Sequence, residues 1–194
     1  MNEALRISIL KTLAFFDIFD YPLSPQELHA LLWSYSGTVT EDVFLKFLST
    51  LEQNSEIERV YGYVVLRGRS EIVRSRRRKV WLVEKKMEIA KKGIRKLRWV
   101  PFLKAVFVCN TVAFGWPKED SDIDVFVIAK AGRLWITRFL VSFTLSFFGL
   151  RRGKIKIQDK ICLSFYITDN ALNISDLVLE GEDIYLMYWL ALLI

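Results

Sequence analysis

Histidine and cysteine are almost missing from this 194-residue chain, which has one His and two Cys. That scarcity argues against a zinc ribbon, a Cys/His metal cluster or a disulfide framework, since each needs several spaced thiols or imidazoles. Cys109 and Cys162 both fall in apolar runs that read as strands, and both are expected to be buried, inert thiols. The lone His29 lies in a helix pattern, far in sequence from the one informative acid pair, and is assigned no role. No secretory signal is visible, because Met1 to Phe16 mixes polar and apolar residues without a small-residue cleavage site. A reducing cytoplasm is the expected location. Residues 134–150 form a mostly apolar stretch of 17 residues, long enough for a membrane span to be considered. Arg138 lies inside that run and Arg133, Arg151 and Arg152 flank it, so a helix covering a sheet is expected and no membrane span.

Acidic residues are scarce in one stretch. Between Arg67 and Lys104 there are fifteen Lys and Arg against Glu71, Glu84 and Glu88, although the whole chain carries only +6. One segment therefore sets the sign of the protein. Apolar residues make up 52% and charged residues 26%, which is material for a packed interior and gives no sign of disorder.

Two folded units are expected, residues 1–69 and 101–194, joined by a connector over residues 70–100. In the first, Leu5, Ile9, Leu13 and Phe16 share one face of a helix over residues 4–16. Ser24-Pro25-Gln26-Glu27 has the pattern of a capping box with proline in the first turn, and it predicts a second helix to about Tyr35. A third helix is expected from Thr40 to Gln53, buried through Val43, Phe44, Phe47 and Leu51. Two β-prone runs around Gly62 complete the pattern of a small winged helix-turn-helix. Charge speaks against DNA reading by its third helix, where Glu41, Asp42 and Glu52 face a single Lys46. A protein-contact or packing role is preferred.

The segment Glu71 to Trp99 reads as a basic connector helix with one narrow apolar stripe through Val80, Val83, Met87, Ala90, Ile94 and Leu97. Its run Arg74, Arg76, Arg77, Arg78, Lys79 has two readings of equal weight, a polyanion contact and a solvated face. After Pro101 the pattern becomes an α/β alternation. Strands are expected at Ala105 to Cys109, Asp122 to Ala129 and Lys160 to Ile167, with a helix at Leu134 to Leu150 between the last two. A final helix spans Asp183 to Ile194 and ends on uncapped apolar residues, which suggests a longer natural chain or a covering partner.

The chemistry concentrates in residues 108–128. Side chains alternate along a strand, so Asp122 and Asp124 project to one side while Ile123 and Val125 face the core. Two carboxylates in one small volume repel each other unless a cation sits between them, and hard oxygen ligands suit Mg²⁺. A pair of metal ions there would clamp the attacking and leaving oxygens of a phosphoryl or nucleotidyl transfer. Upstream, a turn opening a short helix offers backbone N–H groups and the Thr111 hydroxyl to phosphate oxygens.

With Asn110-Thr111, ten intervening residues, then Asp122-Ile123-Asp124 preceded by Ser121, the segment resembles the minimal nucleotidyltransferase branch of the DNA polymerase β superfamily. The family pattern is Gly-Ser, about ten residues, then Asp-x-Asp on a strand. The resemblance implies an α/β (α+β) nucleotidyltransferase fold with a mixed sheet. It implies Mg²⁺, ATP or another NTP as donor, and transfer of a nucleoside monophosphate to a hydroxyl of a protein, a small molecule or an RNA. Asp122 and Asp124 would be the catalytic metal ligands, and Asn110, Thr111 and Ser121 the nucleotide-binding residues. Together with Gly132-Arg133-Leu134-Trp135-Ile136-Thr137-Arg138, the order of winged helix, basic helix and core is similar to a bacterial group of nucleotidyltransferase-domain proteins. Arg133 or Arg138 would then offset charge on the leaving pyrophosphate.

Two differences from the pattern stand out. Asparagine replaces the glycine that lets backbone approach phosphate closely, although Thr111 keeps the hydroxyl. The strand Ile161 to Ile167 contains no acid to serve as third carboxylate, and Asp159 just before it is the nearest substitute as general base. The alternative to an active transferase is a degenerate nucleotide-binding or scaffold protein that acts through its winged helix or basic connector. Most tryptophans fall in helix patterns and are expected to pack, whereas Trp116, in the loop before the carboxylates, is placed to stack on a base.

Overall fold

The computed structural model describes residues 3–180 and 183–194, so the first two residues of the expected 1–69 domain lie outside the described residues. The chain divides into two compact units, Met1–Lys79 and Val80–Ile194. The division falls within one continuous helix.

In the first unit, α1 (Glu3–Asp17) buries Leu5, Ile9, Leu13 and Phe16. The short α2 (Pro25–Ala30) starts on the capping box, with Ser24 accepting from the Glu27 N–H and Glu27 accepting from the Ser24 N–H. It stops earlier than the apolar pattern predicts. The cause is α1, whose Ser8 hydroxyl donates to the Trp33 carbonyl at 2.6 Å while Thr12 Oγ1 accepts from the Trp33 N–H at 3.0 Å. Those backbone groups are thus engaged outside any helix. The next helix, α3 (Glu41–Gln53), buries Phe44, Leu48 and Leu51, while Val43 is exposed and belongs to the solvent face with Glu41 and Asp42. The hairpin β1 (Ile57–Val60) and β2 (Tyr63–Leu66) turns at Tyr61-Gly62, both at positive φ, which matches the twist of the strands. Leu23 bridges to Val64 on its outer edge. His29 is structural, with Nε2 2.9 Å from the Val39 carbonyl and its ring against Phe44.

Arg76 does not belong to a solvated basic face. Its guanidinium donates to both Glu27 carboxylate oxygens at 2.7 and 2.5 Å and to the Pro22 carbonyl at 2.5 Å, and it lies over the rings of Tyr21 and Tyr63. Burial pushes the Glu27 carboxyl upward, but the bonds from Arg76 and Ser24 outweigh it and hold it below its ordinary 4.5. A depressed folded value means that the contribution to stability is complete above the unfolded value and fades as pH falls through the lower folded one. The resistance of this unit to urea should therefore fall as the pH drops below about 5. Arg76→Gln should cost about 2 kcal/mol at neutral pH and flatten that dependence. A pH dependence identical in the variant would show that this pair does not cause it.

The long α4 (Ile72–Leu97) leads into the second unit. There the sheet order is β3-β4-β5, with β3 (Leu103–Val108) antiparallel to β4 (Ile123–Ala129) and β4 parallel to β5 (Ile161–Thr168). The fold is α+β with a mixed three-stranded sheet. The parallel pair is joined through α6 (Leu134–Phe147), and α5 (Asn110–Phe114) connects the antiparallel pair. Alternation along β4 sorts the two faces. Ile123, Val125 and Val127 point toward Ala90 and Leu97 of α4, Val112 of α5, and Val141 and Leu145 of α6. The other face carries Asp124 and Phe126, and Phe126 packs against Phe107, Phe165 and Trp189 of α7 (Ile184–Ala191). The final residue, Ile194, exchanges backbone hydrogen bonds with Val108.

The buried stripe of α4 differs from the expected one. Val80 is exposed, and the stripe runs through Leu82, Lys86, Ala90, Gly93 and Leu97. Gly93 allows the helix to approach β5, since a Cβ there would stand 2.1 Å from Ile161 Cδ1. Among the described residues, no helix is long and apolar enough to cross a membrane.

Candidate functional site

Asp122 and Asp124 sit at the beginning of β4, the central strand, because the two residues between and after them are the apolar anchors Ile123 and Val125, both fully buried. This places the two carboxylates on the sheet face opposite α4 and α6. Asp124 lies opposite Cys162 in the β4–β5 register, which brings the thiol to the same side. One oxygen of each carboxylate and the Cys162 sulfur all lie within 4.8 Å of one another. The register then shifts, leaving Ser164 as an extra residue on β5. The Ser164 hydroxyl donates to Asp124 Oδ1.

Cys162 thus departs from the expectation of an inert buried thiol. It is half-buried beside the acids and accepts from Arg152 Nη1 at 3.5 Å. Cys109 does meet the expectation. Burial, together with the charge of Asp124, pushes its thiol up to about 12, so it stays protonated at neutral pH.

The cation that meets the acids is Arg152, with Nη1 2.8 Å from Asp122 Oδ2 at an angle that makes an ion pair without an aligned hydrogen bond. Arg133 and Arg138 lie elsewhere, against Phe102 and against Trp135 and Tyr166. They follow the far end of β4. Nothing in the linear pattern separates Arg152 from its basic neighbours; only the Arg151–Ile161 bridge and the Arg152 N–H to Ile161 carbonyl bond bring it beside the strand.

Asn110 opens α5 at φ 56°, the left-handed region that glycine favours and asparagine tolerates. Its Oδ1 accepts from Trp189 Nε1 at 2.7 Å, so the side chain is turned to α7 and away from the turn. The Cys109 N–H bonds to the Asp124 carbonyl at 3.0 Å, which ties this turn to the strand bearing the acids. Asn110, Cys109 and Ser164 also line an open cavity of about 300 Å³ together with Ile174, Leu177, Tyr185, Leu186 and Trp189. Thr111 occupies the second position of α5.

Ser121 and Asp159 belong to a neighbouring network. The Ser121 hydroxyl donates to the Lys118 carbonyl, and its own carbonyl accepts from Lys86 Nζ at 2.6 Å and from the Asp159 N–H at 3.2 Å. Lys86, fully buried on α4, also donates to Asp159 Oδ1 at 3.0 Å and to the Glu119 carbonyl at 3.4 Å. Lys85 adds a bond to Asp159 Oδ2 at 2.6 Å. Burial pushes the Asp159 carboxyl upward, but the two lysines prevail and hold it below the usual range. This acid is a paired anchor, poorly suited to accept a proton near neutrality. Trp116 is buried and stacked on Phe114, with ring centroids 4.6 Å apart, so one of its faces is already occupied.

Two converging carboxylates, a serine and a thiol can hold a divalent cation through oxygen, with sulfur adding preference for a softer ion. Comparison with protein-family models, with curated proteins and with solved structures finds no match.

Proposed function

We propose that this chain is a nucleotidyltransferase-type protein of the DNA polymerase β superfamily, with a winged-helix module at its N-terminus, and that it moves a nucleoside monophosphate from an NTP such as ATP to a hydroxyl acceptor. The observation that carries the reading is the convergence of Asp122 and Asp124 at the start of the central strand, beside the Asn110 turn and an open cavity. The residues fit Mg²⁺, since two carboxylate oxygens stand close enough to share one ion. When bound there, the ion would supply Lewis-acid neutralisation of the phosphoryl oxygens.

This chain's own residues have separate tasks. Asp122 and Asp124 hold the cation, and Ser164 fixes the orientation of Asp124. The left-handed backbone at Asn110 supports a glycine-like turn despite the added side chain, which Trp189 draws aside. That turn presents backbone N–H groups and the Thr111 hydroxyl to the donor phosphates. Arg152 is placed to meet negative charge at the same spot.

A second reading has an observation of its own. The Arg152–Asp122 ion pair and the place of Cys162 opposite Asp124, where an acid would complete the set, favour a degenerate nucleotide-binding or scaffold protein. Incubation of the purified protein with Mg²⁺ and α-labelled ATP separates the two. Label transferred to the protein itself or to an added hydroxyl acceptor supports catalysis. A nucleotide-dependent thermal shift with no transfer supports the binding protein, and neither signal removes both.

A further inference from the structure

Helix α6 is apolar on both sides. Val141 and Leu145 are buried in the core, while Trp135, Phe139, Phe143 and Phe147 are 60–75% exposed on the opposite side. Their spacing of four residues makes one stripe along the helix, and consecutive phenylalanine rings stand 6.3 and 6.4 Å apart. A helix with an apolar stripe on each of two sides is ordinarily covered on both, and a contiguous stripe of exposed aromatic rings marks an interaction surface. The stripe continues through Phe148 into a cavity of about 480 Å³ lined by Lys92, Arg95, Lys96, Arg98 and Trp99.

Charge decides what kind of surface fits. Residues 89–118 and 130–158 contain no Asp or Glu, whereas Arg133 and Arg138 stand at one end of the stripe and the lysines and arginines of the cavity at the other. Between Phe139 and Leu150 there is no charge at all. Exposed aromatic rings on a helix flanked by cations are the pattern of an element lying in a membrane interface, rings among the acyl chains and cations at the headgroups. A second copy of the chain would set one basic flank against another. Single-stranded nucleic acid would need cations beside the stacked rings, and the central stripe has none.

We infer that the outward face of α6, with the basic cavity at its end, docks the protein on an anionic lipid bilayer, the rings entering the interface and the cavity taking a lipid phosphate. This is peripheral binding and needs no spanning helix.

Flotation of the full chain with phosphatidylcholine vesicles, with or without an equal part of phosphatidylglycerol, tests it. The protein should float at least about tenfold more with the anionic vesicles. Phe139→Ser/Phe143→Ser/Phe147→Ser and, separately, Arg95→Gln/Lys96→Gln/Arg98→Gln should each reduce that binding about tenfold, with circular dichroism confirming the fold. If the first variant fails to fold, the second decides alone. Equal flotation with neutral and anionic vesicles, or wild-type flotation of folded variants, would overturn the inference. So would wild-type protein that ignores vesicles, whether it then binds poly(U) RNA, forms a dimer by sedimentation or does neither.

Discussion

Lys86→Met should destabilise the unit from Val80 to Ile194 by about 3 kcal/mol, the largest stability effect expected of any single substitution discussed for this chain. Its amine is fully buried and donates to Asp159 and to the carbonyls of Ser121 and Glu119. Methionine fills a similar volume but donates to none of them. Asp159 keeps Lys85, which limits the loss to the low end of the range for a broken buried pair. The affected segments are the entries to β4 and β5, so the same substitution should loosen the placement of Asp122. Urea unfolding followed by hydrogen exchange in β4 and β5 measures both consequences. A midpoint equal to that of wild type would mean that the lysine adds nothing beyond a hydrophobic stem.

Asp122→Asn/Asp124→Asn should abolish Mg²⁺-dependent nucleotide binding, with an affinity loss of at least about a hundredfold, while leaving the fold in place. Asparagine keeps the shape of each side chain and removes its charge. The stability cost is small because, among the described residues, the only ion pair broken is Arg152–Asp122, whose arginine is 43% exposed and screened by solvent. Loss of nucleotide binding with the unfolding midpoint retained would therefore report the site and not the scaffold. At ligand concentrations of about a hundred times the dissociation constant, the wild type should gain about 2.7 kcal/mol of apparent stability. The double variant should gain none. Unchanged nucleotide affinity in this variant would remove the proposed metal site.

Much of the local architecture was legible because it rests on short-range chemistry. The capping box at Ser24, the Gly62 turn and the alternation around Ile123 and Val125 each specify their geometry within a few residues. What escaped the linear pattern depends on contacts between distant residues. Lys86 reads as one cation in a basic helix, and only the approach of the segments around Ser121 and Asp159 makes it an internal anchor. Arg76 reads as part of a basic run until Glu27, 49 residues earlier in the chain, is found against it. The place of Cys162 beside the acids follows from the parallel register of β4 and β5, which no local signal fixes. Even the end of α2 was set from outside, by two hydroxyls of α1.

The proposed function requires that Asp122 and Asp124 hold a divalent cation beneath a nucleoside triphosphate. Calorimetric titration of a nonhydrolysable ATP analogue into wild-type protein, once with Mg²⁺ and once with EDTA, tests it directly. Binding that requires the ion is the predicted result. Binding of equal strength in EDTA, or none under either condition, would contradict it.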